Sequence, residues 1–475
     1  MLSYFPKYFS DRAIYLYVAL LLVVSVALGH PMTWYWWAFG IVEVVVFFYF
    51  SNQLTRKWQR LSTRTFEHKV FSTSLIIRIV YVIFTYYFYI NVANDFMGFG
   101  SADANTYHLF AIKGADMLKA GQFNFREEFS AMEFFRGNVD IADMGYPLFE
   151  SVIYFLSGKS MVVSRCVNAL FSAWTVVLVY RLAQRCFDEH TARISAIFCM
   201  LMPNLIFYCG VQLKETVMLF MTILFLERAD ALIRETKMNV EQLILVLGIG
   251  GLTYFVRAIL CYVLLLSFLF ALVFTSQRIA RKGRLALTAV LSVLLIGGAF
   301  GNVIAEELEL GEYQNLQEQQ DKNMQWRAER DNGNSFAKYA GAAVFAPLIF
   351  TIPFPTMVDI PGQEAQQMIH GGNYVKNITS FFTILALFLL LLTGQWRDKP
   401  LPIAFMLGYL VVLVFSQYAQ SERFHIPILP ISLMCAAYGI TSLKKKHVTW
   451  FNYWMVFIFV ANVGWAWFKL RGRGM

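Results

Sequence analysis

The chain has 475 residues, of which 58% are hydrophobic and 15% charged, with a formal net charge of +9. A soluble domain carries about a quarter charged residues, so a water-soluble globular enzyme is excluded. The basic excess sits in short loops of the kind that anchor membrane proteins, which removes nucleic acid from the partners it implies.

Six cysteines, at 166, 186, 199, 209, 261 and 435, fall in or at the ends of apolar segments. With no CxxC and no Cys/His pairing, they read as small apolar residues and not as a disulfide or zinc framework. Runs of about 20 apolar residues recur along the chain, each long enough for a hydrocarbon core of about 30 Å. They predict an all-α, polytopic integral membrane protein with about 13 transmembrane helices. In chain order these lie near 13–30, 34–52, 72–94, 160–184, 191–209, 213–230, 241–256, 258–275, 285–304, 379–394, 400–418, 425–442 and 449–468.

The first run follows Lys7 and Arg12, has no small-residue cleavage site behind it, and is read as an uncleaved span. The stretch 241–275 is too long for one crossing and divides at Arg257. Segment 342–358 is apolar but broken by Pro347, Pro353 and Pro355, which predicts a re-entrant or interfacial piece. Four regions result. Residues 1–71 hold two extra helices and a basic cytoplasmic loop, and 72–304 form a membrane module that includes an outer loop, 95–145. Residues 305–378 hold a second outer loop and the re-entrant segment, and 379–475 hold the last helices.

Loop charge sets the orientation. Arg56, Lys57, Arg60, Arg64 and Lys69, then Arg278, Arg281, Lys282 and Arg284, then Lys444, Lys445 and Lys446 belong on the cytoplasmic side. Counting spans from a cytoplasmic amino terminus puts the two net acidic loops, 95–145 and 305–341, outside. The tail residues Lys469, Arg471 and Arg473 then also fall outside, against the rule.

Four polar groups cluster at outer ends of the spans. The first is Asp103, with Tyr107 and His108, at the start of the loop 95–145, where apolar residues at helical spacing over 104–121 predict an amphipathic interfacial helix. That loop closes on Asp140, Asp143 and Gly145-Tyr146-Pro147. The second group is Lys214-Glu215 at a helix start, where exposed N–H groups suit an acid or a phosphate. The third is Arg257, a charge between two apolar runs. The fourth is Glu422, Arg423 and His425, just before a proline-punctuated span. Each alone has a structural reading: a solvated loop, a snorkelling lysine, a partner for a helix carboxyl end. In the loop 305–341, Trp326 and Tyr339 are candidate sugar-stacking residues of a lid, against a plain solvated hairpin.

These pieces, in order, resemble the membrane-embedded C-type glycosyltransferases, the superfamily of the protein O-mannosyltransferases and the aminoarabinose transferases. The resemblance covers roughly 72–440. It rests on Asp103 in the first outer loop, Tyr146-Pro147, Ser-Arg-Cys-Val-Asn-Ala-Leu at 164–170, Met-Pro-Asn-Leu-Ile-Phe-Tyr at 202–208, Lys214-Glu215, and Glu-Arg-Phe-His-Ile-Pro-Ile-Leu-Pro at 422–430. It implies a polyprenyl-phosphate-linked sugar donor, an acceptor of glycan, lipid or protein, and a site on the periplasmic face of a bacterial inner membrane. It further implies Asp103 and Glu215 as the catalytic acids, with Lys214, Arg257 and Arg423 holding the donor phosphate. Many members pair the first-loop Asp with Glu, whereas here Ala104 follows Asp103.

No cofactor is read from the chain, and a divalent metal at Asp103, Glu215 and His425 is left open. A polysaccharide polymerase or ligase and a lipid-glycan flippase or transporter are the alternatives. The first favours arginine-dominated loops over an early Asp. The second favours charges near span centres and matched broken helices, and Arg78 and Arg257 are its best support.

Overall fold

The computed structural model describes residues 2–99, 102–132, 141–235, 239–274, 316–329, 333–339, 341–416 and 418–475. Among them every regular element is helical. The expected span 285–304, the basic cluster 278–284, Asp140 and the acidic run 306–312 lie outside the described residues.

The chain begins with α1 (Lys7–Ala27), α2 (Trp34–Lys57) and α3 (Thr63–Val92). Ser62 starts α3 by accepting the Thr65 N–H at 3.3 Å, a side-chain cap for an otherwise free donor. Next comes a packed pair of shorter helices, α4 (Ala102–Lys119) and α5 (Gly145–Ser157), which run in the same direction, Tyr107 meeting Tyr146 near their starts and Asp116 meeting Lys159 at their ends. The first is the helix expected over 104–121, and it buries Phe110, Ala111, Ala115 and Met117. Gly158, in the left-handed region at φ 67°, ends α5. Next is α6 (Met161–Cys186), which packs on α3.

The span expected at 191–209 is instead α7 (Glu189–Leu201) and a single turn, Pro203–Phe207. Met202 takes an extended conformation ahead of Pro203, as a residue before proline tends to. Arg78, expected near a span end, lies in the middle of α3 and serves this break. Its Nη1 and Nη2 donate to the carbonyls of Met200 and Cys199, both at 3.2 Å, and its Nε to Ser172 Oγ at 2.6 Å. The guanidinium thus satisfies carbonyls that the interrupted helix leaves without partners.

Beyond lie α8 (Glu215–Arg234), α9 (Val240–Tyr254), α10 (Ala258–Phe274), α11 (Leu316–Glu329), α12 (His370–Thr393), α13 (Pro400–Phe415), α14 (Glu422–Thr441) and α15 (Lys445–Arg471). The expected division near Arg257 is the break between α9 and α10. Among the described residues seven helices are long and apolar enough to cross a membrane: α1, α2, α3, α6, α12, α14 and α15. The expected crossings at α9, α10 and α13 are shorter apolar helices. In α8, Glu227 and Asp230 are buried against Arg185, at 2.8 and 3.2 Å.

Segment 342–358 forms one short helix, Ala342–Leu348, and then a buried loop. Side chains of α12 hold this loop: Ser380 donates to the Phe350 carbonyl at 2.7 Å, and Asn377 to those of Thr351 and Pro353 at 2.6 and 3.0 Å. Lys376 donates to the Ile352 carbonyl. The first two helices brace the same region. Glu43 of α2 accepts the Gly372 N–H at 2.9 Å, covering a free donor in the first turn of α12. His370 Nδ1 faces the Gln367 carbonyl at 2.6 Å, which leaves Nε2 to accept from the Tyr17 hydroxyl at 2.6 Å.

Part of the basic tail is packed into the protein. With 27 residues, α15 is long enough to cross. Lys469 at its end donates to Thr356 Oγ1, Gln363 Oε1 and Gln366 Oε1 at 2.7–2.8 Å. This charge is consumed inside the protein and is not available to anchor a loop.

Candidate active site

Where α4, α8, α10 and α14 begin, a cavity of about 550 Å³ is lined by Asp103, Tyr107, Asp143, Lys214, Arg257 and Arg423, among others. Four helix starts at one place put free N–H groups around a common space. Asp103 sits in the first turn of α4 and Glu215 opens α8, both favoured there by the helix dipole.

Asp103 and Glu215, 112 positions apart, meet on one guanidinium. Arg423 donates from Nη1 to Asp103 Oδ2 and from Nε to Glu215 Oε1. Glu215 is fully buried behind Arg423, whereas the Asp103 side chain keeps 54% of its surface exposed toward the cavity. Lys214 pairs with Asp143 at 2.5 Å and donates to the Val256 carbonyl at 2.9 Å. The neighbouring Phe255 carbonyl accepts the Gly145 N–H at 2.7 Å, and a Cβ at Gly145 would meet that oxygen at 2.7 Å. Only glycine permits this approach. The two bonds clamp the α9–α10 break and so fix the backbone that carries Arg257.

Arg257 lies over the Phe424 ring at 4.2 Å, and Phe424 stacks on Tyr418 at 4.1 Å. No carboxylate pairs with Arg257 among the described residues. It is a cation of the cavity whose charge is not already neutralised by an acid.

The structure brings together Asp103, Tyr107, Lys214, Glu215, Arg257 and Arg423. Tyr107 meets Tyr146 edge-on at 5.0 Å, and burial followed by the nearby Glu215 charge pushes its hydroxyl well above the usual tyrosine range. The other three candidates face elsewhere. His108 bonds through Nδ1 to the Tyr154 hydroxyl at 2.7 Å, and burial and Arg165 hold its pKa down. His425 spends Nε2 on the Ala419 carbonyl at 2.7 Å and Nδ1 on Lys376 at 2.8 Å. It does not join Asp103 and Glu215 as a metal ligand, and no group of three or more His, Cys, Asp or Glu gathers at a metal-binding distance among the described residues. Glu422 has Lys469, Arg423 and Lys376 as its charged neighbours and does not line the cavity.

Trp326 and Tyr339, the candidate stacking residues, are 59% and 69% exposed and do not line the cavity; Tyr418 and Phe424 do. Asp143, Tyr418 and Phe424 are thus cavity-lining residues that composition and spacing do not single out. Asp143 carries a weak signal as an acid just before Gly145-Tyr146-Pro147. Tyr418 carries none in a chain with 24 tyrosines.

Comparison with known proteins adds the following. Residues 144–298 match the dolichyl-phosphate-mannose-protein mannosyltransferase family, and residues 368–470 match the Alg9-like mannosyltransferase family. Lys214, Glu215 and Arg257 fall in the first match and Arg423 in the second, while Asp103 precedes both. No curated protein matches the chain. Among solved structures, the archaeal oligosaccharyltransferase AglB from Archaeoglobus fulgidus, in complex with an inhibitory peptide and a dolichol-phosphate, aligns over 86% of this chain and 55% of its own. The identity is 12% and the TM-score 0.48, and this chain spans about half the length of that enzyme. Two mannosyltransferase family models, each matching less than half of the chain, follow one another along an all-helical membrane protein, and together they support a glycosyltransferase of the membrane-embedded C type.

Proposed function

We propose that the protein transfers a sugar from a polyprenyl-phosphate-linked donor to an acceptor hydroxyl, at a cavity on the periplasmic face of a bacterial inner membrane. The observation that carries this reading is the meeting of Asp103 and Glu215 on Arg423, in the same cavity as Arg257 and Lys214. A donor whose lipid chain stays in the bilayer presents its phosphate and sugar at that depth.

The acceptor oxygen attacks the anomeric carbon from the face opposite the phosphate. The bond from that carbon to the phosphate oxygen breaks as the new glycosidic bond forms, so configuration inverts. Asp103, the exposed acid, takes the hydroxyl proton, a contribution of about 10²–10⁴-fold for a well-placed base. Polyprenyl phosphate leaves with its added negative charge facing Arg257, and Lys214 joins it if Asp143 swings aside. Fixed cations in a partly dry cleft stabilise that charge more than water does. Arg423 is already held by two acids, so its part is to set their spacing, and Arg257 takes the phosphate role expected of it.

The test is release of polyprenyl phosphate in lipid nanodiscs by wild type, Asp103→Asn and Arg257→Ala. Asp103→Asn should fold and lose at least about 10²-fold in kcat, and Arg257→Ala should raise the donor KM. Equal release by wild type and Asp103→Asn removes Asp103 from the chemistry. No release by wild type with any acceptor removes the transferase reading.

A further inference from the structure

Behind the cavity lies a second polar cluster that does not open into it. Glu150 of α5 is fully buried. Its Oε2 accepts from Ser164 Oγ at 2.5 Å and from the Gln212 side-chain amide, which also reaches Ser164 Oγ at 3.2 Å. Tyr146, one turn earlier on α5, brings its hydroxyl to the same carboxylate. Arg165, beside Ser164 at the start of α6, is buried as well and donates to the Phe96 carbonyl at 2.9 Å. Among the described residues Glu150 Oε1 and Arg165 Nε and Nη1 have no hydrogen-bond partner.

A buried carboxylate with one oxygen unpaired is costly, and an apolar side chain would pack α5 on α6 without that cost. What the carboxylate adds is reach. Each arm of the cluster ends on a segment that carries a site residue. Gln212 lies two residues ahead of Lys214 and three ahead of Glu215. Arg165 holds the turn at Phe96 that leads into α4 and Asp103. The Tyr146 ring meets the cavity-lining Tyr107.

We propose that Glu150 is a positioning residue of the transfer site, fixing the segments before α4 and α8 relative to each other so that Asp103 and Glu215 reach Arg423 together. This rests on the reading of that cavity as a transferase site. A carboxylate accepts on both oxygens, and its three neighbours Ser164, Gln212 and Tyr146 all supply donors. Glutamine at 150 keeps the shape but removes the negative charge, present above about pH 7, that the Ser164, Gln212 and Tyr146 donors and Arg165 share, so each arm is held less tightly.

The experiment compares wild type, Glu150→Gln, Gln212→Ala and the double variant in nanodiscs by hydrogen exchange and by turnover. Gln212→Ala removes only the arm toward Lys214 and Glu215, and it carries the test if Glu150→Gln does not fold. The expected result is faster exchange in 208–216 for both single variants, and additionally in 93–99 and 102–107 for Glu150→Gln, with the rest of the chain unchanged. A displacement of about 1 Å at a reacting group costs on the order of 10²-fold, so kcat should fall about 10–100-fold at a donor KM within about twofold. The double variant should be no worse than Glu150→Gln alone, as residues acting through one link are not additive. Wild-type exchange in both segments overturns the proposal, and so does a uniform rise in exchange with a lowered Tm, which marks a merely structural role. Exchange is read without substrate, so it decides the matter even if wild type transfers no sugar, an outcome that would sink the transferase reading instead.

Discussion

Charged residues in an apolar chain advertise themselves, because a membrane protein keeps few that lack a purpose. This is why Asp103, Lys214, Glu215, Arg257 and Arg423 are legible as a set in the sequence, and folding gathers all five around one cavity. Their pairing is not legible. Arg423 reads from sequence as a phosphate ligand, but folding spends it on two acids. Glu150 escapes a sequence reading because a single acid inside an amphipathic helix looks ordinary until its burial is known. That burial pushes its carboxyl up to about 7, against hydrogen bonds from Ser164, Tyr146 and Gln212 and the charge of Arg165. The folded chain therefore holds a proton on Glu150 that the unfolded chain releases near the ordinary 4.5. The stabilisation is complete below that value and is lost as pH rises through about 7. Wild type should lose up to about 3 kcal/mol of stability across this window, and Glu150→Gln should lack that component in a series of melts from about pH 4 to 8.

Helix identity is legible wherever apolar residues dominate: α1, α2, α3, α6 and α15 stand within about ten residues of their expected places. The starts slip furthest at α3, which begins at Thr63 and not at 72, and at α12, which begins at His370 and not at 379. The extra turns, with His370, Asn373, Lys376 and Asn377, are polar, and hydropathy alone ends a span at such residues. They are buried among protein partners and not in lipid, so the lipid rule does not govern them. The same burial gives α2 its purpose. Glu43 covers a free amide of α12, and losing it leaves a buried donor without an acceptor, at about 1–3 kcal/mol. Glu43→Ala should lower Tm in nanodiscs accordingly, and Glu43→Gln, which keeps an acceptor, should lose less. Equal melting of all three would mean that α2 braces α12 through packing alone.

For the molecule as a whole, fold class and the gathering of the charged candidate residues at one cavity are legible, and the exact number of crossings is not. Seven helices among the described residues meet the length and hydropathy needed, against about thirteen expected. Of the other expected spans, α9, α10 and α13 are apolar helices of fewer than 18 residues and α7 is interrupted at Met202. The expected sidedness is open to a direct check. A cysteine at Asp143, which lines the cavity, should react with a membrane-impermeant maleimide in intact cells. One at Lys445, where α15 starts at the other end, should react only after permeabilisation. The reverse pattern would put the cavity in the cytoplasm.

The pairing of charges around the cavity also governs how substrate arrives. Asp103, Asp143 and the underlying Glu215 balance Lys214, Arg257 and Arg423 one for one. A site with no net charge casts little long-range field, so it does not gather anions from the aqueous side as a basic funnel does. On the proposed reading the donor lipid is then expected to come by sliding sideways within the bilayer. Turnover then follows the mole fraction of donor in the membrane, and diluting the vesicles in buffer leaves the rate per enzyme unchanged.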